Sequence, residues 1–446
     1  MSQPPAIPQP QLSVFDAVVI MVGMVVGIGI FRTPSIVAAN VGSEWMFILV
    51  WVFGGLVTLV GALCYAELSA ANPHAGGEYH FLSRAYGKAC AMMFGWARCT
   101  VIQTGAIAAV AFILGDYLSQ LVPLGPYGPA LYAALAIVIL TAVNVIGTVE
   151  GKNLQIVVTL IEIGAVAAII LFGFFGSAAQ IEPASVAMTP ENAAIGMAMI
   201  FVLLTYGGWN EASYLSGELK DAPRNIARVL VFGTAILVTL YVLANLALLS
   251  ILGLEGLRTS GAVAADMMRL VAGPAGEVAV TLAIVVAAIS TLNATIFTGA
   301  RVFYAMSQDM TVLRWLGVWS GRGKTPANGL LAQGAIALAL VGLGAFTRDG
   351  FKSMVDYTAP VFWFFLLMVG ISLFILRHRH PDRVLPYRVP LYPITPIIFC
   401  LMCVYMLYSS VMYTGSAGLM GLAVLAAGTP LLLFRRPAKT AGATAD

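Results

Sequence analysis

Val26-Gly27-Ile28-Gly29-Ile30-Phe31 sets two glycines inside an apolar run otherwise long enough to cross a bilayer, and Thr205-Tyr206-Gly207-Gly208-Trp209 breaks a second run much later. In lipid each unpaired backbone group costs several kcal/mol, so a helix is interrupted only where the freed backbone is buried in protein or lines a polar cavity. Two interruptions, one in each half of a chain, form the pattern of discontinuous helices that meet at a mid-membrane binding site in secondary transporters. The bland alternative is close helix packing through small residues. It explains either break alone better than it explains both.

Composition agrees with a membrane bundle. Hydrophobic residues make up 60% of the chain and charged residues 10%, against about 25% charge in a soluble domain. The net charge of +3 suggests no nucleic-acid partner. At about 20 apolar residues per span, twelve transmembrane helices are expected, over 15–38, 45–70, 91–119, 128–147, 154–176, 191–216, 228–253, 277–305, 328–346, 357–376, 392–411 and 416–434. Met1 to Gln11 is a short Pro-rich tail without the pattern of a cleaved leader.

Basic residues fall mostly on one side of this layout: Arg84, Lys88, Lys152, Lys220, Arg224, Arg228, Arg314, Arg322, Lys324, Arg377, Arg379, Arg383, Arg388, Arg435, Arg436 and Lys439. The opposite loops hold Arg258, Arg269, Arg348 and Lys352 among Glu182, Glu191, Glu255 and Asp266. The positive-inside rule then puts both termini in the cytoplasm of an integral, multi-pass protein, and a bacterial inner membrane is the expected location. The basic, Pro-rich segment from Arg377 to Pro390 reads as a topology anchor at anionic lipid. A short interfacial helix is expected around Ala262 to Leu270.

The breaks fall in spans one and six, so spans one to five and six to ten form two repeats. Five is odd, which makes the second repeat inverted. The chain divides into a tail over 1–14, a first repeat over 15–176, a second over 191–376, peripheral helices eleven and twelve over 391–434 and a tail over 435–446. At the first break the amides of Ile28 and Gly29 lose their helical partners near a positive helix end, which suits a carboxylate. At the second, the carbonyls of Leu204, Thr205 and Gly207 are freed and suit an ammonium group. A zwitterion with both groups on one carbon, an α-amino acid, satisfies the two ends.

The chain resembles the amino acid–polyamine–organocation (APC) superfamily, in particular its L-amino-acid transporter branch. Gly27 to Phe31 followed by Pro34 resembles the first-helix signature, and Tyr65-Ala66-Glu67-Leu68 with Pro73 and Gly76-Gly77-Glu78-Tyr79 the end of the second helix. Tyr206 to Asn210, Gly217-Glu218 and Pro223 to Ile226 resemble the sixth helix and its exit; Asn293, Phe297, Arg301 and Ser307-Gln308-Asp309 resemble the eighth. The resemblance implies an all-α membrane fold with a five-plus-five, LeuT-like inverted repeat and broken helices one and six. It also implies substrate contacts at Val25, Ile28, Gly29, Leu204, Thr205 and Gly207, with Gly27 and Gly208 completing the breaks. Leu204 stands where relatives often carry an aromatic gate, and Ile28 where they carry serine. Both departures favour apolar or small neutral amino acids. A polyamine or cationic amino-acid carrier and a non-transporting amino-acid sensor are the alternatives.

Glu162 departs further. By its count from Asn144 it falls where many relatives carry a lysine that supports the broken first helix. An acid inside a membrane span faces a partner or a cavity. Three readings stay open: a proton carrier, part of a cation site for sodium or a substrate amine, or an ion-pair partner, with Arg98 the obvious candidate. Glu67, Glu218 and Arg301 suggest an inner-gate network, against ordinary capping and solvation. Glu211 lies just past the second break.

No metal or cofactor is expected. Cys400 and Cys403 form a CxxC inside a span and, like Cys64, Cys90 and Cys99, read as packing residues. His74, His80, His378 and His380 are poorly arranged for a metal. The chain has no HExxH, GxSxG or acidic ligand cluster, which argues against an enzyme. The loop from Gln120 to Pro126 contains no cysteine, so no disulfide-linked heavy chain is expected.

Overall fold

Ser13 starts the first helix. Its hydroxyl accepts the Asp16 amide at 3.1 Å while the Asp16 carboxylate accepts the Ser13 amide at 3.1 Å, a reciprocal cap that satisfies two otherwise orphaned donors. The structure, a computed structural model, describes residues 12–74, 76–146, 152–176, 194–217, 219–309, 313–318, 325–347 and 349–434. Glu182, Glu191, Glu218, Arg322, Lys324, Arg348, Arg435, Arg436 and Lys439 lie outside the described residues, as do the side chains of Ile28, Lys152, Arg301 and Ser307 to Asp309.

The described chain is helical: α1 (Val14–Val25), a 3-10 turn (Ile28–Phe31), α2 (Thr33–Ala39), α3 (Glu44–Ala71), α4 (Gly77–Tyr86), α5 (Lys88–Ala97), a π-helical turn (Arg98–Ile102), α6 (Gln103–Leu121), α7 (Gly128–Ile146) and α8 (Lys152–Phe175). There follow α9 (Ile195–Thr205), a 3-10 segment (Trp209–Gly217), α10 (Ala222–Thr259), α11 (Val263–Asp309), α12 (Ala327–Ala345), α13 (Gly350–Arg379), α14 (Ile394–Tyr413) and α15 (Gly415–Ala426). Among the described residues nine helices are long and apolar enough to cross a membrane. The two broken spans escape that criterion because each is two short pieces. α8 escapes it because its described apolar part is only Thr159–Phe175.

Two long helices bend where glycine takes a positive φ. Gly253 (φ 62°) kinks α10. Gly273 (φ 70°), just before Pro274, separates the first turns of α11 from the span behind them. Those turns are the short helix expected around Ala262 to Leu270.

Large apolar side chains cover the outside of the bundle. Trp45, Leu49, Phe53 and Leu56 are exposed on one face of α3, while Val50, Trp51 and Gly54 are buried on the other. An exposed apolar surface of that extent belongs in lipid, not water. Between helices, small residues permit close approach. A Cβ on Gly61 would lie 2.7 Å from Phe399 and 2.8 Å from Trp209, and one on Gly55 2.6 Å from Val238. Lipid offers helices no hydrophobic incentive to associate, so such close contact supplies the adhesion.

Ionic staples close the end of the bundle that carries Ser13, Asn72 and Arg377, called here the basic face. The Arg377 guanidinium donates to both oxygens of the buried Glu67 carboxylate, at 2.6 and 2.5 Å, and the Val389 amide donates to Glu67 at 2.7 Å. Arg383 donates to Asn72 Oδ1 at 2.9 Å and to the Ala71 carbonyl. Two arginines of the expected lipid anchor are thus spent inward on α3, and Glu67 serves as a strut. Glu67→Ala is expected to destabilise the protein by about 3 kcal/mol, the cost of stranding one partner of a buried ion pair. A lowered Tm in detergent checks it; an unchanged Tm would show that the staple contributes nothing.

Candidate functional site

The first break is a 3-10 turn with ordinary backbone angles. α1 ends at Val25, Gly27 is extended (φ −90°, ψ −176°), and Ile28–Phe31 turns before α2 begins with Pro34 in its first turn. Tyrosine hydroxyls take the exposed carbonyls. Tyr241 on α10 donates to Val25 O at 2.6 Å, and Tyr117 on α6 to Phe31 O at 2.9 Å. The amides of Ile28 and Gly29 open a new turn, where the first donors have no helical acceptor. A Cβ on Gly29 would meet Thr205 at an ordinary 3.5 Å. Smallness, not an unusual φ, is what this glycine supplies.

The second break does need its glycine. Gly208 has φ 101°, and a Cβ there would press on Met24 O and Val25 Cγ2, both at 3.3 Å. The two breaks therefore touch. Of the three carbonyls expected free, that of Leu204 accepts the Gly207 amide at 3.0 Å, which corrects one member of that set. No described backbone bond of this kind takes those of Thr205 and Gly207. The Thr205 hydroxyl lies 2.7 Å from that of Thr33, tying α9 to α2.

Between the breaks is a cavity of about 340 Å³. Val25, Gly27, Gly29, Leu204, Thr205, Gly207 and Gly208 line it. Sequence reasoning missed the remaining walls. Gln103, Ala106, Val110 and Ile113 supply one from α6, Thr291, Thr295 and Thr298 a second from α11, and Phe351, Val355 and Thr358 a third from α13. Their signal was helical spacing of small and hydroxylated residues on one face, visible only once the facing helices are known.

Leu204 lines the cavity without an aromatic ring. Phe201, one turn earlier, meets Phe351 of α13 with ring centroids 6.1 Å apart, and both are buried. Toward the face opposite the basic one, Arg32 pairs with Asp349 at 2.7 Å and with Asp116 at 3.7 Å. These contacts join α2, α6 and α13. At the other end of the cavity Thr298 is exposed and the Glu211 side chain is 34% exposed.

Glu162 lies behind the first break, 1% exposed. The Thr291 hydroxyl donates to its Oε1 at 3.5 Å, and its Oε2 has no hydrogen-bond partner among the described residues. Thr291 itself lines the cavity and stands 3.8 Å from where a Cβ on Gly27 would be. The expected pairing with Arg98 does not occur. Arg98 is bound to Glu78 at 3.3 Å and to Glu211 instead, because the π-helical turn at Arg98–Ile102 and the packing of α4 turn it toward the Gly77-Glu78 segment and the second break. Burial raises the Glu78 carboxyl above its ordinary range, opposed by the Arg98 charge. Glu78 also accepts from Tyr65, Asn210 and Tyr214.

Residues 12–427 match the family model described as amino acid permease. The b(0,+)-type amino acid transporter 1 of Mus musculus is 29% identical over 411 residues, covering 90% of this chain and 83% of that protein. The serine/threonine exchanger SteT of Bacillus subtilis is 28% identical over 391 residues, covering 87% and 88%. The large neutral amino acids transporter small subunit 2 of Oryctolagus cuniculus is 27% identical over 434 residues, covering 94% and 79%.

Proposed function

The chain belongs to the amino acid permease family, and from that premise we propose that it moves neutral amino acids with small or apolar side chains across a membrane by alternating access. It is a multi-pass integral membrane protein and not an enzyme. The observation that carries the substrate reading is the cavity at the two breaks. It offers turn-initial amides at Ile28 and Gly29, carbonyls at Thr205 and Gly207, and walls of threonine, aliphatic and aromatic side chains. The amides suit a carboxylate and the carbonyls an ammonium. The named activities of the relatives, serine/threonine exchange and large neutral amino acid transport, support the same class.

In this reading Val25, Ile28, Gly29, Leu204, Thr205 and Gly207 bind the amino-acid backbone, and Phe201 and Phe351 cover it. Residues 15–176 and 191–376 are inverted repeats within twelve spans, both termini lie in the cytoplasm of a bacterial cell, and no disulfide-linked partner is needed. Glu162 is the coupling group. Its buried, half-unpartnered carboxylate beside Thr291 supports a proton symporter over an exchanger without ion coupling, and sodium is the second cation to test.

Counterflow in proteoliposomes tests this directly. Leucine, alanine, serine and threonine are expected to drive uptake, and arginine and putrescine are not. Accumulation driven by an inward proton gradient identifies symport. Strongest flux with arginine or a polyamine would overturn the substrate class, and binding without flux would mark a sensor.

A further inference from the structure

Among the described residues the cavity wall holds one ionisable side chain, Glu211. Its carboxylate is bonded to the Arg98 guanidinium, whose own side chain is 7% exposed and lies behind the wall. Arg98 is fixed from the far side. It donates to Glu78 at 3.3 Å and to the Tyr214 hydroxyl at 3.2 Å, with its Cζ 5.1 Å from the Tyr214 ring centre. Glu78 has further donors at 2.7 Å (Tyr65) and 2.9 Å (Asn210), so it does not depend on Arg98 alone. Arg98 thus faces two carboxylates, and of the two only Glu211 is on the cavity wall. Glu162, the other nearby acid, is not on the wall and stands behind Thr291.

We propose that Arg98 is a specificity-determining residue: by pairing Glu211 it offsets the one carboxylate on the described cavity wall and so disfavours amino acids with cationic side chains. The inference rests on the reading of the cavity as an amino-acid site. Without Arg98, the Glu211 carboxylate faces the cavity unpaired, and a lysine, arginine or polyamine cation supplies the missing charge. Specificity here is a difference between two affinities, set by the charge a competitor leaves unpaired.

The test is competition against labelled leucine uptake in proteoliposomes, read as the ratio of arginine to leucine inhibition. Arg98→Gln is expected to raise that ratio about tenfold, whatever its effect on total uptake. Adding Glu211→Gln to Arg98→Gln is expected to return the ratio to that of the parent protein. If Arg98→Gln does not fold because Glu78 is stranded, the pair Glu78→Gln with Arg98→Gln removes both buried charges and is read in the same way. Glu211→Gln alone, a change at a partly exposed position, leaves Arg98 paired with Glu78 and is expected to keep arginine competition at or below the parental level. A folded Arg98→Gln protein with an unshifted ratio, or a Glu211→Gln protein in which arginine competes better against leucine than in the parent, overturns the proposal. A parent protein that carries no amino acid at all would instead overturn the transport reading.

Discussion

Gly208→Ala is expected to lower uptake at least about tenfold, because a positive φ costs an L-residue about 1–2 kcal/mol and a tenfold effect needs about 1.4 kcal/mol. The strain adds to a tight contact, since the new methyl would sit 3.3 Å from both Met24 O and Val25 Cγ2. Relief requires the two breaks to move apart, which displaces the donor end of the site from its acceptor end. Gly208→Val, β-branched at the same φ, is expected to abolish uptake. Gly29→Ala makes the contrast. Its backbone needs no positive φ, and its methyl would reach ordinary contact with Thr205 at 3.5 Å. It is expected to fold with an unchanged Tm and to raise the apparent KM by intruding where the substrate carboxylate lies. Uptake kinetics and thermal unfolding on the two purified variants separate these effects. Parent-like uptake by Gly208→Ala would show that the touching breaks are not needed for transport.

Glu162→Gln is expected to abolish proton-driven accumulation while sparing amino-acid counterflow. Counterflow returns the carrier loaded in both directions and moves no net proton, so it does not require a titrating group. Net accumulation does. Glutamine keeps the volume and can still accept from Thr291, so the first helix keeps its support. It also removes a buried group whose Oε2 has no partner among the described residues, and a higher Tm is expected, since an unpaired carboxylate is costly to bury. The measurement is leucine accumulation at a series of imposed pH gradients beside counterflow at equal pH. A Glu162→Gln protein that still concentrates leucine with the parental pH dependence removes the proton-carrier reading. Loss of both activities would instead give Glu162 a structural role or a place in a cation site.

Much of the site was legible because its signals are local. The glycine pairs that interrupt their helices stand one in each half of the chain, whereas the pair Gly54-Gly55 lies within an unbroken α3. Gly27, Gly29, Gly207 and Gly208 all line the cavity, as do Val25, Leu204 and Thr205. Where the structure differs, the answer depended on how particular helices and turns pack. Arg98 was one candidate partner for Glu162, but it pairs with Glu78 and Glu211 instead. The resemblance marked Leu204 as lacking the usual aromatic ring, and the ring contact of Phe201 with Phe351 from α13 was not foreseen. The Leu204 carbonyl was counted free because the local turn that returns the Gly207 amide to it leaves no mark in composition.

The sequence by itself determined that this chain lives in lipid and that two of its helices break at glycines, one break in each half of the chain. Those properties follow from hydrophobicity and from backbone hydrogen bonding, which each segment must satisfy for itself in a membrane. Only the tertiary structure decided which walls complete the cavity, which acid holds Arg98 and what stands behind Gly27. These depend on the rotation and depth at which helices lock together, set by contacts such as those of Gly55 with Val238 and Gly61 with Trp209. Such close packing through small residues fixes side-chain partners across the bundle, and no single span carries that information.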